Sequence, residues 1–590
     1  MQQSPGNQPS RSIRARRTQP ALPGYPVPTT PLLTDGQQVA RQENNRSSSA
    51  RRAAVKLLLL GALLLLVYLA DYPLFAGAIQ NRDAAKQVVA SAFPWLPHFY
   101  WTNGLPGLAH GLSRLTLFNL ATPAGNANLL LLLLLSGLVL LLLAARIGNR
   151  IGRENLSQAE SGLLFWTLLL LTAVFGLVFV FAPAVLYSDV FTYALYGRMV
   201  VGNHLNPYVV HPPAGLFAGL VPHNLGVAPY GPLWMDVTLP VALFAHNSAA
   251  SALVSFRLIG FIVHLANAVL IWSILARLKP EYRVAGTLLY AWNPLVLLLG
   301  VGEMHLELVA VLFVLFSIFC YQRQTLLLGW VCLLLAALAS TICLLLLPLF
   351  ARLFWRETRA MSRWTRSLWW LTLLGISVLI IVLAYAPYWP GWGFAGLAAS
   401  LRATFLPGSA INSIDAAIIH IPSGVPVALS WLAAPPVWTV ITWGTVGALL
   451  LVGMWIGDTL ELILLFAAWV YFAYNVFFPV NWPWFLFLAL TLAITSAYTR
   501  TVLLGLLLTG GYLLTYYFWL WPQVWGGLAL VTIGVPLLTW GWALFFASTW
   551  QMKRQEAMGQ PAPPPTTGRR AGFSRPPWPS FSRPGGTRRK

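Results

Sequence analysis

The stretch NLLLLLLLSGLVLLLLAA, residues 128–145, contains no ionisable side chain and ends directly before Arg146. A helix of about 20 apolar residues crosses the hydrocarbon core of a bilayer, which is about 30 Å thick. Such a helix also satisfies its backbone hydrogen bonds within the segment, as the lipid requires. The stretch therefore predicts a transmembrane α-helix, and similar runs along the chain decide the fold class.

Further apolar runs of comparable length follow this pattern. They cover residues 55–70, 163–183, 251–276, 284–300, 306–321, 368–386, 436–456, 459–478, 484–499, 501–520 and 525–549. Leu326–Phe350 is one more apolar stretch, which we interpret as two short helices bent near Ser340-Thr341. The sequence thus predicts an all-α, polytopic transmembrane bundle of about 14 helices.

The composition excludes an ordinary soluble protein. Hydrophobic residues make up 57% of the chain and charged residues only 9%, whereas charged residues form about a quarter of a soluble domain. The net charge of +21 comes largely from two polar tails, 1–50 and 551–590, which flank the membrane domain 51–550. Their Pro, Ser, Gly and Arg content predicts disorder and contact with anionic lipid rather than with nucleic acid.

Positive charge predicts the topology. The arginine-rich segments 146–153, 277–283 and 352–366 should lie on the cytoplasmic side of the plasma membrane, together with both termini. The bend near Ser340-Thr341 keeps the last of these segments inside. The long loops 71–127, 187–250 and 387–435 then lie outside the cytoplasm, and Leu233–Ala245 is too short to cross, which favours an interfacial helix.

Loop 187–250 holds the most informative polar residues. It begins Tyr187-Ser188-Asp189 directly after an apolar run. A carboxylate at a helix–water boundary can stay ionised and accept a proton from an attacking sugar hydroxyl, which would make Asp189 a general base. Asp189 can equally be a helix N-cap, because Ser188-Asp189 opens an amphipathic helix. The residues alone leave both interpretations open, with Asp236 as the alternative base and Asp415 as a further carboxylate.

The order of several short motifs resembles one enzyme family. The motifs are Ser188-Asp189-x-x-x-Tyr193-x-x-x-Gly197-Arg198, Asn206-Pro207-Tyr208, Tyr230-Gly231-Pro232-Leu233, Asn293-Pro294-Leu295-Val296, His305-Leu306-Glu307 and Pro483-Trp484-Phe485. Over residues 160–500 this series is similar to GT-C-class glycosyltransferases that use polyprenyl-phosphate sugars, and most of all to polyprenol-phosphomannose-dependent α-1,6-mannosyltransferases. Leu306 replaces the family's usual Asn, and Ser340-Thr341 stands where many relatives carry a Lys.

The resemblance implies a helical bundle whose outer mouth holds a lipid-phosphate groove beside an acceptor cleft. It implies transfer of a hexose, mannose above all, from a polyprenyl phosphate to a glycan or glycolipid. Asp189 would deprotonate the acceptor with inversion at the sugar, and arginines would stabilise the leaving phosphate. The candidate donor-phosphate residues are Arg198, Arg257 and Arg402.

Other candidate residues would bind the acceptor or relay protons. These are Tyr193, Asn206, Tyr208, Tyr230, Glu303, His305 and Glu307. The acidic pair and His305 could also hold a divalent cation with Asp189, and the sequence leaves that question open. We expect Asp189, Glu303, His305 and one of the three arginines to line one cavity. Trp482 and Trp484 are interpreted as interfacial anchors, with sugar stacking as the alternative.

Two other function classes remain as alternatives. One is a transporter or flippase for a lipid-linked sugar, which typically shows inverted repeats and broken helices near the bilayer midplane. The other is a cell-wall glycan polymerase or ligase with a large outer loop dominated by arginines. The chain shows neither an internal repeat nor such an arginine-dominated loop, which favours the glycosyltransferase.

Overall fold

The structure is a computed structural model, and it describes residues 35–557 except 79–82, 155, 184, 214, 216, 218, 224, 420–426 and 517–527. The chain separates into two units, Met1–Ser49 and Ala50–Lys590, and the cavity and groove described below lie wholly within the second. Of the two predicted basic tails, residues 1–34 and 558–590 lie outside the described residues.

The described residues are predominantly α-helical. In chain order the α-helices are α1 Asp35–Ala78, α2 Asp83–Ala92, α3 Trp101–Gly104, α4 Pro106–Ser113, α5 Pro123–Gly152, α6 Gln158–Val180, α7 Asp189–Asn203, α8 Pro232–Ala245, α9 Ala249–Leu278, α10 Arg283–Ala291, α11 Glu307–Gln322, α12 Leu326–Ala339, α13 Leu347–Thr358, α14 Arg363–Tyr385, α15 Gly393–Phe405, α16 Ile414–Ile419, α17 Pro435–Ile456, α18 Leu460–Phe477, α19 Leu486–Ser496, α20 Thr499–Tyr512 and α21 Val535–Ala557. Ile411 and Val480 form an isolated parallel β-bridge.

Short 3₁₀ and π-helical segments connect or extend these helices. The 3₁₀ segments are Leu96–Phe99, Thr116–Phe118, Pro280–Tyr282, Thr341–Leu346, Ala386–Tyr388, Val427–Ala433, Pro483–Phe485 and Leu513–Tyr516, and the π-helical ones are Val296–Gly302 and Leu530–Gly534. The all-α class that the sequence predicted is confirmed.

Eight helices within the described ranges are long and apolar enough to cross a membrane, judged by length and composition. They are Ser49–Ala78, Pro123–Gly152, Gln158–Val180, Ala249–Leu278, Arg363–Tyr388, Pro436–Ile456, Leu460–Phe477 and Leu530–Ser548. Pro280–Ala291 and Val296–Gly302 make a ninth span if they are taken together across their 58° bend. This count is lower than the predicted fourteen because several of the predicted runs form shorter helices, such as α11, α12 and α19.

Large apolar side chains face outward from the bundle. Leu371 and Leu383 on α14 are 64% and 63% exposed, and Trp455 on α17 is 81% exposed. Such contiguous apolar surface would be costly in water and suits a lipid environment. These long apolar helices indicate a membrane protein.

Helix starts follow ordinary capping chemistry. Thr122 accepts a hydrogen bond from the Gly125 amide at the start of α5, and Ser157 and Glu160 form a reciprocal capping box at the start of α6. These bonds satisfy amides that the first turn of a helix leaves unpaired. The spans therefore begin where local sequence favours a helix start.

The predicted break in the stretch 326–350 is present. Helix α12 ends at Ala339, Ser340 is extended (φ −132°, ψ 110°), and a 3₁₀ segment begins at Thr341. The predicted short helix 233–245 is also present, as α8 Pro232–Ala245. Both features border the cavity described next.

Candidate functional site

A cavity of about 350 Å³ lies where several helix ends meet. Its wall comes from the beginnings of α7 and α11, the turn 229–231, the break after α12, the end of α15 and the segment 474–485. The lining residues are Asp189, Tyr193, Pro229, Tyr230, Gly231, Leu306, Glu307, Ala339, Ser340, Thr341, Ile342, Ala403, Thr404, Pro407, Tyr474, Phe478, Val480, Trp482, Trp484 and Phe485. A cavity of this size falls within the range of small-ligand sites.

Asp189 is the first residue of α7 and is half-buried in the cavity wall. Ser188 precedes it at the N-cap position, without a side-chain capping bond. A helix does begin at the predicted place, but Ser188 occupies the N-cap position, so the interpretation of Asp189 as the N-cap is wrong by one residue. Residues 190–197 are all buried, so the helix is not amphipathic as predicted. The Asp189 carboxylate lines the cavity. The partial positive charge of a helix N-terminus favours the ionised form of an acid placed there.

Glu303 holds the backbone that leads into Asp189. Its Oε1 accepts a hydrogen bond from the Leu186 amide at 2.9 Å, and its Oε2 accepts one from the Tyr187 amide at 3.2 Å. Glu303 is buried and does not line the cavity. Both carboxylate oxygens thus serve to fix the segment before the candidate base.

Arg257 is fully buried on α9 and does not line the cavity. Its Nε donates to the Gly302 carbonyl at 2.7 Å, and one terminal nitrogen donates to the Val180 and Ala182 carbonyls at 3.2 and 2.7 Å. The guanidinium fork therefore ties the end of α6 to the π-helical segment. Its interaction with the nearby Glu303 carboxylate is electrostatically favourable, and a buried charge requires such compensation.

Two tyrosines form a polar wall beside Asp189. The Tyr193 and Tyr230 rings meet edge to face at a centroid separation of 5.0 Å, and both side chains line the cavity. Burial raises the pKa of each phenol well above its ordinary value, and the nearby Asp189 and Glu307 charges raise both pKa values further. Both hydroxyls therefore stay protonated and can donate hydrogen bonds at neutral pH.

Gly231 allows the 229–231 turn to reach the cavity wall. A Cβ atom at this position would lie 2.0 Å from the Leu338 carbonyl oxygen at the end of α12. Only glycine permits this close approach. The Tyr230-Gly231-Pro232 motif thus places Tyr230 against the break after α12.

Glu307 is the first residue of α11 and contributes a second carboxylate to the cavity. It is buried, and within the described part of the chain its Oε2 has no hydrogen-bond partner. Burial above all, together with the negative charge of Asp189, raises the pKa of Glu307 to about 8. Glu307 is therefore mostly protonated near neutral pH and can donate a hydrogen bond to a ligand in the cavity.

His305 lies behind the wall rather than in it. Its ring stacks on Trp484 with centroids 3.6 Å apart and planes inclined by 13°, and Trp484 in turn stacks on Trp482 at 5.1 Å and 4°. Tyr187 meets all three rings edge to face. The structure therefore places Trp482 and Trp484 in the cavity wall, where the sequence favoured interfacial anchors.

Asn206 and Tyr208 join neighbouring segments outside the cavity lining. The Asn206 side-chain amide donates to the Tyr388 and Pro390 carbonyls at 2.6 and 3.0 Å. The Tyr208 hydroxyl donates to the Tyr230 carbonyl at 2.7 Å. These hydrogen bonds connect the 206–208 turn to the segment after α14 and to the 229–231 turn. The predicted contacts of Asn206 and Tyr208 with the acceptor stay a prediction.

The other two candidate arginines differ in their distance from the cavity. Arg198 lies about 13 Å along α7 from Asp189 and on the opposite face of the helix, from α-helical geometry. Its Nε donates to the Asn247 side chain at 3.0 Å. Arg402 is exposed on α15 and directly precedes Ala403 and Thr404, which line the cavity.

The structure thus brings together four of the predicted site residues, Asp189, Tyr193, Tyr230 and Glu307. The expectation that Glu303, His305 and an arginine would share this lining is not met. Glu303 and Arg257 form hydrogen bonds with backbone groups instead, and His305 stacks on Trp484 behind the wall. Sequence reasoning missed Thr404 and Tyr474 as wall residues, whereas the polar pair Ser340-Thr341 inside an apolar stretch was a usable signal.

Two secondary carboxylates lie outside the cavity lining. Asp236 on α8 accepts a hydrogen bond from the Tyr388 hydroxyl at 2.8 Å. Asp415 accepts one from the Ser413 hydroxyl. Within the described ranges, no group of three or more His, Cys, Asp or Glu residues could hold a metal ion.

No curated protein matches the chain. One family model does match, and its name, given next, supports a mannosyltransferase activity. Residues 101–356, which include Asp189, Tyr193, Tyr230 and Glu307, match the family model described as "Alpha-(1->6)-mannopyranosyltransferase, N-terminal domain", and this match confirms the resemblance that the motifs indicated.

Proposed function

We propose that this protein transfers a mannosyl group from a polyprenyl-phosphate donor to a hydroxyl group of a glycan or glycolipid, with Asp189 as the general base. The observation that supports it most directly is the position of Asp189 at the start of α7, in the wall of a cavity that also contains Tyr193, Tyr230 and Glu307. The family match independently supports mannosyl transfer.

The reaction needs one base and a stabilised leaving group. Asp189 accepts the proton of the acceptor hydroxyl while the acceptor oxygen forms a bond to the anomeric carbon of the donor. The bond between that carbon and the phosphate oxygen breaks, so the polyprenyl phosphate leaves with the electron pair. Attack opposite the leaving group inverts the anomeric configuration. Hydrogen bonds from Tyr193 and Tyr230 would orient sugar hydroxyls in the cavity.

The donor phosphate needs a cation near the cavity. Arg402 is the best placed of the three candidate arginines, because the two residues that follow it on α15 belong to the cavity wall. A guanidinium matches the geometry of phosphate oxygens and stabilises the charge that develops on the leaving group. In this proposal Arg257 contributes by fixing the scaffold, since three backbone carbonyls accept hydrogen bonds from its guanidinium.

The site is proposed to face the outside of the cytoplasmic membrane. The positive-inside rule places the basic segments 146–153 and 352–366 in the cytoplasm. Helix α6, Gln158–Val180, then carries the chain across the membrane to the side of the cavity. A lipid-attached donor would reach the cavity from the outer leaflet. Labelling of a cysteine introduced at residue 204, directly after α7, by a membrane-impermeant reagent in intact cells tests this orientation.

The central experiment measures transfer in membranes that contain the full chain. Radiolabelled polyprenyl-phosphate mannose and polyprenyl-phosphate glucose are offered separately to wild type, Asp189→Asn and Asp236→Asn. We expect transfer from the mannose donor and a loss of about a hundredfold or more in Asp189→Asn, the usual range for a general base. Asp236→Asn is the matched control, because it makes the same chemical change outside the cavity lining.

The outcomes separate the function classes. Transfer by Asp189→Asn at nearly the wild-type rate would remove Asp189 as the base. Movement of the labelled lipid across the membrane without cleavage of the sugar–phosphate bond would indicate the transporter alternative. Loss of transfer in Asp236→Asn alone would move the base to α8.

A further inference from the structure

A second concavity, of about 480 Å³, lies between α1 and α5, away from the cavity of the candidate site. Four of its lining residues are aliphatic, three are cationic and none is acidic. They are Leu59, Leu60, Leu143 and Ile147, with Lys56, Arg146 and Arg150. We call this concavity the basic groove. Neither the proposed reaction nor the family match assigns it a role.

The two helices that form the basic groove pack closely at one point. A Cβ atom on Gly137 of α5 would lie 3.3 Å from a Leu64 methyl carbon of α1. Lys56 lies about 12 Å from Leu64 along α1, and Arg146 lies about 13 Å from Gly137 along α5, from the helical rise. Because Lys56 precedes its contact point and Arg146 follows it, the helices run antiparallel and their cations reach the same level.

The lining residues follow helical periodicity on both sides. Lys56, Leu59 and Leu60 are spaced i, i+3 and i+4 on α1, which places them on one face. Leu143, Arg146, Ile147 and Arg150 are spaced i, i+3, i+4 and i+7 on α5 and also share a face. The leucines lie nearer the contact point than the cations, so the groove is apolar toward one end and basic toward the other.

The three cations are available to a ligand. Lys56, Arg146 and Arg150 are exposed, and none forms an ion pair or side-chain hydrogen bond within the part of the chain that the structure describes. Leu59 and Leu143 are 62% and 46% exposed. Lys56 and Arg146 lie at one level and Arg150 about one helical turn further along α5, and three like charges this close together repel one another. An anionic group between them would relieve this repulsion.

We propose that the basic groove binds an anionic phospholipid, with its phosphate between Lys56, Arg146 and Arg150 and an acyl chain along Leu59, Leu60 and Leu143. The complementarity has two parts, charge at one end and apolar surface at the other, and a phospholipid combines both. Basic pockets between transmembrane helices bind lipid headgroups by the same principle. The positive-inside rule places this site at the cytoplasmic leaflet, where anionic headgroups attract Lys and Arg.

The test uses the full-length protein purified in a neutral detergent. Phosphatidylglycerol, phosphatidylcholine and inorganic phosphate are titrated separately while the melting temperature is recorded, and native mass spectrometry counts the retained lipids. We expect only phosphatidylglycerol to raise the melting temperature and to remain bound. In the triple variant Lys56→Gln/Arg146→Gln/Arg150→Gln its affinity should fall by more than about tenfold, because each basic residue contributes to headgroup binding.

Two further variants make the result specific. Arg356→Gln/Arg359→Gln/Arg363→Gln removes the same charge from another basic segment and should keep phosphatidylglycerol affinity close to that of the wild type. Leu143→Trp fills the apolar end while the cations remain, and it should weaken phosphatidylglycerol binding. If the triple groove variant does not fold, Leu143→Trp and the single variant Arg150→Gln are compared with the wild type.

Three results would overturn the proposal. Equal loss in both triple variants would indicate general surface electrostatics. Stabilisation by inorganic phosphate equal to that by phosphatidylglycerol would indicate a plain anion site. Unchanged phosphatidylglycerol binding by Leu143→Trp would show that the acyl chain does not lie along Leu143. Because binding is read without sugar transfer, none of these outcomes depends on the proposed reaction.

Discussion

The His305 ring lies flat against the Trp484 indole, with ring centroids 3.6 Å apart and planes inclined by 13°. This contact joins the segment between the π-helical turn and α11 to the loop that begins α19. Trp484 also lines the cavity, together with Asp189 and Glu307. A residue that the sequence suggested as a proton relay thus supports the cavity wall from behind.

Replacement of His305 by Phe should preserve most of the transfer activity. A Phe ring can keep the stacking on Trp484, and within the described residues neither nitrogen of the His305 ring has a hydrogen-bond partner to lose. His305→Ala should instead lower the free energy of unfolding by about 3 kcal/mol, the cost of removing a large buried ring. Activity assays and melting temperatures of both variants check this. Strong inactivation of a well-folded His305→Phe would restore His305 as a chemical group.

The same residue predicts a pH dependence of stability. Burial lowers the pKa of His305 well below its ordinary value of 6.5. Below pH 6.5 the unfolded chain therefore binds a proton that the folded chain does not, so this residue lowers stability as the pH falls. The melting temperature of the wild type should drop between pH 7 and pH 5 by more than that of His305→Phe. Parallel pH curves for the two proteins would contradict the buried neutral ring.

Glu303→Gln should destabilise the segment that positions Asp189. The two carboxylate oxygens accept hydrogen bonds from the amides of Leu186 and Tyr187, one each. Glutamine replaces one of these oxygens with an NH₂ donor, which cannot accept a hydrogen bond from the facing amide. Loss of one charge-assisted bond should lower the melting temperature and kcat together, with a stability change of about 1.5–3 kcal/mol. Glu281→Gln, on the exposed Pro280–Tyr282 turn, is the matched control and should behave like the wild type. A Glu303→Gln protein with unchanged melting temperature and altered donor KM would indicate substrate contact instead.

Glu307→Gln should leave the acid side of the activity–pH profile in place and change only its alkaline side. Burial above all, together with the negative charge of Asp189, raises the pKa of Glu307 to about 8, so the Glu307 side chain is mostly neutral at pH 7. As the pH rises through about 8, the wild type gains a second negative charge in the cavity, whereas the glutamine variant stays neutral. Activity measured between pH 4 and pH 10 checks this. Alkaline sides that coincide in the two proteins would contradict a buried, protonated Glu307.

Arg402→Gln should raise the KM for the lipid-linked donor by roughly tenfold, the effect of losing one charge-assisted phosphate contact. Arg198→Gln makes the same change on the far face of α7, where the guanidinium contacts Asn247, and should leave that KM within about twofold of the wild type. Donor titrations with both variants in membranes provide the measurement. A larger effect in Arg198→Gln would place the donor phosphate elsewhere.

Much of the fold followed from local patterns. The long apolar runs predicted spans such as those at 123–152 and 249–278, because backbone hydrogen bonds in lipid must close within a helix. The polar pair Ser340-Thr341 predicted the break after α12, and the Ser188-Asp189 sequence predicted the start of α7. The number of spans was harder to predict, because apolar runs of the same composition form either long spans or short helices such as α11 and α19.

The sequence by itself determined the helical membrane architecture, the family resemblance and the choice of Asp189, since each depends on residues close together in the chain. Only the tertiary structure decided which polar side chains share the cavity. Glu303 and Glu307 are close in sequence, yet one binds the backbone of 186–187 and the other lines the cavity with Asp189. The different roles of the two residues depend on how helices distant in the chain pack. Packing places the Glu303 carboxylate against backbone amides and the Glu307 carboxylate against the cavity.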